Sequence, residues 1–141
     1  MANKDYKPPK KQRKLSRKGL IKKLDDTCAA IVKIRDEHRC QMCGKYVTGS
    51  DAHCSHVLPK SLGYYVRWDL MNLKLLCMHD HLHVWHKNPT KAGEWFRDKY
   101  PHRMKYLDNL KPDPLFKWTE AELLKRLAEL QEKLSELERD E

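Results

Sequence analysis

The stretch from His53 to His86, HCSHVLPKSLGYYVRWDLMNLKLLCMHDHLHVWH, constrains this chain more than any other. It carries six of the eight histidines and two of the five cysteines, and a Cys-x-x-Cys knuckle, Cys40 to Cys43, stands just upstream. Thiolates and imidazoles at this density point to bound metal, because soft and borderline donors select ions such as zinc. Gly44 follows the second cysteine and lets the backbone turn tightly around an ion. The segment Met71 to Leu76 would then approach the second half of the same site.

The length of 141 residues is about one domain. No run of some 18 apolar residues is available to cross a membrane. The basic N-terminus lacks the apolar core of a secretory signal. An odd cysteine count beside a histidine cluster reads as metal binding in a reducing compartment, hence the cytoplasm, and not as a disulfide framework. Ten of the 29 Lys/Arg and one of the 20 acids lie in residues 1–23, so nineteen of each remain elsewhere and the excess of +9 belongs to the N-terminal arm. Lys10, Lys11, Arg13, Lys14, Arg17 and Lys18 are its candidate phosphate contacts, since such an arm gains affinity by releasing counterions from nucleic acid.

Three segments follow from the pattern: a basic arm over 1–23, disordered when free; a central domain over 24–110; and a linker with a C-terminal amphipathic helix over 111–141. A helix is expected from about Asp25 to Glu37, with Cys28 on its apolar face. A strand through His53 to Leu58 should stop at Pro59. A short helix from Asp80 should carry His81 to His86. Asn88-Pro89 reads as an N-cap with proline at the first helical position, opening a helix to about Lys99. Another short helix is expected over 102–110. Thr119-Glu-Ala-Glu122 is a capping-box sequence. Behind it Leu123, Leu127, Leu130, Leu134 and Leu137 form an a/d stripe about two heptads long. It suits packing on its own domain, with a homodimer through this helix as the alternative. Trp68, Trp85 and Trp95 read as core residues.

Ser55-His56-Val-Leu-Pro59-Lys-Ser61-Leu-Gly63, then Asn72, Cys77 and His81, resemble the HNH (ββα-metal, His-Me finger) nucleases. Within them the chain is most similar to phage recombination endonucleases of the NinG (Rap) type, over roughly residues 28–107. The resemblance implies an α+β fold: a small zinc-stapled ββα-metal core flanked by helices. It implies that His56 is the general base that activates water, that Asn72 orients it and that His81 binds a catalytic divalent ion, Mg2+ or Mn2+. Cys40, Cys43 and Cys77 would hold a structural Zn2+. The fourth ligand departs from the family's cysteine pair; Asp80 is preferred over Cys54 and His79. Ser55 stands where many members place a second catalytic ligand, so His53, His83 or Asp51 would have to compensate. His86 reads as a phosphate contact or surface residue. Lys60, Arg67 and Lys74 are candidate DNA contacts.

The function so implied is DNA endonuclease activity on duplex or branched DNA, in the company of recombination proteins and, for a phage-encoded chain, in the host cytoplasm. A neutral histidine can take the water's proton near pH 7. The alternatives are a non-catalytic zinc-binding DNA adaptor and a homing or restriction-type HNH enzyme. The latter usually adds a recognition domain, for which residues 119–141 are too acidic, with four basic against eight acidic side chains.

Overall fold

The computed structural model describes residues 4–7, 9, 14–62 and 65–141. Lys10, Lys11 and Arg13, named above as phosphate contacts, lie outside the described residues.

Helix α1 runs Arg17–Arg35, and the Ser16 side chain caps it by accepting from Gly19 N. Its start corrects two expectations, because residues 17–23 are helical and not part of a disordered arm. Leu20 is buried with Leu24, Cys28, Ile31 and Val32, and this stripe meets Leu123, Leu127 and Leu130 of helix α4, Glu120–Arg139. The leucines of α4 are therefore used within the chain; Leu134 and Leu137 are partly buried against the same core. No helix among the described residues is long and apolar enough to cross a membrane. Leu123 is fully buried. Its replacement by Ala is expected to cost about 2–5 kcal/mol, as for large core residues, read as a lower midpoint in urea. A midpoint within error of wild type would mean that α4 does not stabilise the domain.

α1 ends abruptly. Glu37 and His38 both adopt the left-handed conformation, with φ of 57° and 56°, and this turns the chain back towards the knuckle. Arg39 bridges Tyr46, and Cys40 N donates to Lys45 O at 2.8 Å. Gly44 takes φ +77° between them, the conformation its position after Cys43 suggests.

The sheet has two antiparallel strands, β1 (His53–His56) and β2 (Leu73–Leu76), with His53 opposite Leu76 and His56 opposite Leu73. β2 is buried at every position. The far side of β2 is occupied as well: Leu75 O accepts from Gln41 N, and Asp36 takes Leu75 N at 2.9 Å. The knuckle is thereby docked beside the sheet. A π-helical segment, Asp80–Trp85, follows β2. Helices α2 (Pro89–Lys99) and α3 (Pro101–Asp108) come next, α2 capped by Asn88. The capping box at Thr119 and Glu122 is formed. The class is α+β, a two-stranded sheet with helices on its flanks.

Candidate functional site

Two groups of side chains converge on the segment after β2. In the first, ligand atoms of Cys40, Cys43, Cys77 and Asp80 all lie within 4.8 Å of one another. Cys40 Sγ is 3.1 Å from Asp80 Oδ2, and Cys43 Sγ is 4.0 Å from Cys77 Sγ. Asp80 N donates to Cys77 Sγ at 3.3 Å, and backbone N–H groups of Cys43 and Met42 also point at the Cys40 sulfur. Such N–H···S bonds favour thiolates, the form that binds metal. Burial pushes the Cys40 thiol up to about 12. Three sulfurs and one carboxylate at these spacings can hold a metal ion, and a closed set of four such donors suits structural zinc. Asp80 supplies the fourth donor. Cys54 instead lines the neighbouring cavity, and His79 leans on Asp80 through Nδ1 at 3.2 Å.

The second group is a chain of imidazoles. His53 Nδ1 lies 2.9 Å from His81 Nδ1, and His81 Nε2 lies 3.0 Å from His86 Nε2. The π-helix explains the second contact. In an α-helix, residues five apart would be rotated by about 140° from each other. Here His86 N bonds His81 O, an i→i−5 bond of 3.1 Å, and residues five apart share a face. His86 is thus a direct partner of His81 and not an isolated surface residue. His83, two residues from His81, stands against His79 with ring centroids 5.4 Å apart and does not join the group. Asp51 is engaged by Lys45 at 2.8 Å and by Met78 N, so it does not compensate for Ser55.

His53 Nε2 lies 2.9 Å from Ser50 O, which fixes its tautomer: N–H on Nε2, lone pair on Nδ1, facing His81. A metal ligand held by a carbonyl through its other nitrogen has this arrangement. Burial, then the nearby His86 and His53, push His81 down to about 4, so its ring is neutral, the form that binds metal. His53 and His81 therefore fit a shared ion, with Ser50 O and His86 as their outer partners. Two imidazoles suit zinc, nickel, copper or iron better than Mg2+, which prefers oxygen donors. This donor set disfavours the Mg2+ expected from the resemblance.

His56 ends β1 and opens on a cavity of about 640 Å³ that His81, His86, Trp85, Leu58 and Lys60 also line. Its Nε2 donates to Arg67 O at 3.0 Å, leaving the Nδ1 lone pair as the basic nitrogen. Burial pushes His56 down to about 4. Asn72 is fully buried, and its side chain bonds the loop after β1 and not His56. Its Oδ1 accepts from Leu58 N at 2.7 Å, and its Nδ2 donates to Leu58 O and Val66 O. Asn72 clamps the loop after β1, and that loop carries on to Arg67, the residue that holds His56.

No family model, curated protein or solved structure matches this chain.

Two expected DNA contacts are otherwise engaged. Arg67 pairs with Asp25 at 2.7 Å, and its guanidinium packs on Trp68. Lys74 is fully buried, bonded to Ser55. Lys60 lines the cavity, and Arg17 and Lys18 are exposed on the first turn of α1. Lys14 reaches Glu120 at 2.8 Å, an exposed pair of small energetic weight. Trp68 is buried, and Trp85 and Trp95 are partly buried against the core. The contacts that residue-level reading missed are those of His86 and Ser50 O. Only the i→i−5 register could have revealed the first, and a backbone carbonyl leaves no trace in a sequence.

Proposed function

We propose that the chain is a metal-dependent DNA endonuclease of the HNH type, acting on branched recombination intermediates. The observation that carries this reading is that His56, at the end of β1, and the His81–His86 pair of the π-helix face one cavity beside a Cys3Asp knuckle. His56 Nδ1 takes the proton of the attacking water, while the carbonyl of Arg67 holds the ring by its other nitrogen. Asn72 keeps the intervening loop in place. His53 and His81 would hold the catalytic ion, which when bound neutralises charge on the phosphate and the leaving oxygen. The knuckle anchors this assembly, because Asp80 and His81 are adjacent residues: a zinc ligand fixes the start of the helix that carries the catalytic imidazoles.

Cleavage of a panel of branched, single-stranded and linear duplex DNAs with Mg2+, Mn2+, Ni2+ or Zn2+ added in turn tests the reading. Cutting is expected with the transition ions, weakly or not at all with Mg2+, and best on branched DNA. DNA binding without cleavage under every ion would favour the zinc-binding adaptor instead.

Removal of residues 1–13 is the appropriate test of the arm, because a longer truncation would take Leu20 from the core. Those residues carry five Lys/Arg. If all contact phosphates, the slope of log K against log salt should become shallower by up to roughly 4.5, equally for all sequences. An unchanged slope would assign DNA binding to the folded domain alone.

A further inference from the structure

Lys74 is the side chain of the sheet whose chemistry is most at odds with its surroundings. It is fully buried, on β2, directly opposite Ser55, which is itself fully buried. Among the described residues no carboxylate lies within ion-pair distance of it. Its Nζ donates to Ser55 Oγ at 2.9 Å and lies 3.2 Å from the centre of the Trp85 ring, with the Phe96 ring at 5.8 Å. Desolvating an amine without a counter-ion is costly, and a linear apolar side chain would fill the same space without that cost. A lysine there does something that an apolar side chain cannot: it reaches two elements at once. Ser55 immediately precedes His56 on β1. Trp85 lies four residues beyond His81 on the π-helix and immediately precedes His86. One amine thus bonds the strand that ends in His56 and sits on a ring of the helix that carries His81 and leads into His86, through an oxygen acceptor on one side and the face of an indole on the other.

We propose that Lys74 is a positioning residue that locks the histidine-bearing helix onto the histidine-bearing strand and sets the separation of His56 from the His81–His86 pair across the cavity. It touches no substrate, because it has no exposed surface. β1 and β2 pair with each other, the helix follows β2, and Lys74 bonds across from the strand to the helix beside the His53–His81 contact. The functional meaning of the lock rests on the nuclease reading. The lock itself can be measured without it.

Two variants address the same bond from its two ends. Lys74→Met keeps a straight side chain and the apolar contacts; Ser55→Ala removes only the acceptor. In the full-length, zinc-loaded protein, imidazole 1H–15N resonances of His53, His56, His81 and His86 are expected to move or broaden in both variants. Those of His38 and His102, which do not line the cavity, should stay in place. For DNA cleavage, Lys74→Met should lower kcat by about 10²-fold, the effect of a misplacement of ~1 Å, with KM little changed, and Ser55→Ala should change kcat in the same direction. Cavity-histidine resonances identical to wild type in either folded variant would overturn the lock. A reduced melting temperature alone, with those resonances unmoved, would do the same, assigning Lys74 to stability. Should Lys74→Met fail to fold, Ser55→Ala decides by the same resonances. A wild-type protein that cleaves nothing sinks the nuclease reading, and the histidine spectrum still judges the lock.

Discussion

Chelation of the full-length protein is expected to abolish its cooperative thermal melt, and Cys40→Ser or Cys43→Ser should do the same without chelator. The knuckle joins parts of the chain that are distant in sequence. Cys40 and Cys43 come from the turn after α1, Cys77 follows β2, and Asp80 opens the π-helix. An isolated two-stranded sheet is marginal in water. Structural zinc contributes roughly 10–16 kcal/mol of apparent binding free energy in small zinc peptides at pH 7. That is as large as the whole stability of a typical domain, about 5–15 kcal/mol. Metal analysis should find one tightly held zinc per chain. Asp80→Ala should weaken zinc retention while Cys54→Ser leaves it intact, because Asp80 is within the ligand cluster and Cys54 is in the cavity wall. A zinc-free chain with a cooperative melt indifferent to chelator would remove the metal from the account. Zinc retained by Asp80→Ala and lost from Cys54→Ser would reassign the fourth ligand.

His56→Ala is expected to lower DNA cleavage by roughly 10²–10⁴-fold, the usual worth of a general base, with zinc content, melting and DNA affinity unchanged. The selectivity follows from position. His56 ends β1, half-exposed to the cavity, and contributes neither to the ligand cluster nor to the leucine core. The pH profile offers a second check. A base acts only when unprotonated, and burial pushes His56 down to about 4. The rate should therefore hold from pH 8 to about pH 5 and fall only as pH approaches 4. An ordinary imidazole with a pKa near 6.5 would instead lose roughly ten-fold by pH 5.5. Cleavage by His56→Ala within a few-fold of wild type would exclude this residue as the base and return the search to His86 and His81.

Much of this was written locally. The knuckle announces itself because two thiols at that spacing, followed by a glycine able to take positive φ, chelate whatever the rest of the chain does. Asp80 could be preferred over Cys54 because alternation along a strand places Cys54 on the face of His56. Helix starts at Pro89 and Thr119 could be read because a cap is a contact between residues three apart. The buried stripe of α4 was visible as periodicity, and so was the apolar face of α1 from Asp25 onward.

What only the tertiary structure decided depends on contacts between distant segments. The first two turns of α1 bury Leu20 in the core that α4 shares, and nothing in residues 17–23 encodes that partner. Lys74 and Arg67 read as phosphate contacts because a sequence shows charge and not depth; one is sealed behind Ser55 and Trp85, the other is paired with Asp25. Asn72 acts through a loop, which its type alone does not reveal. The sharpest case is His86. Its distance in sequence from His81 places it on a different face of an α-helix and on the same face of a π-helix. The choice between the two is a single shift of hydrogen-bond register. Local sequence determined which chemistries are present; the packing of distant segments determined which of them meet.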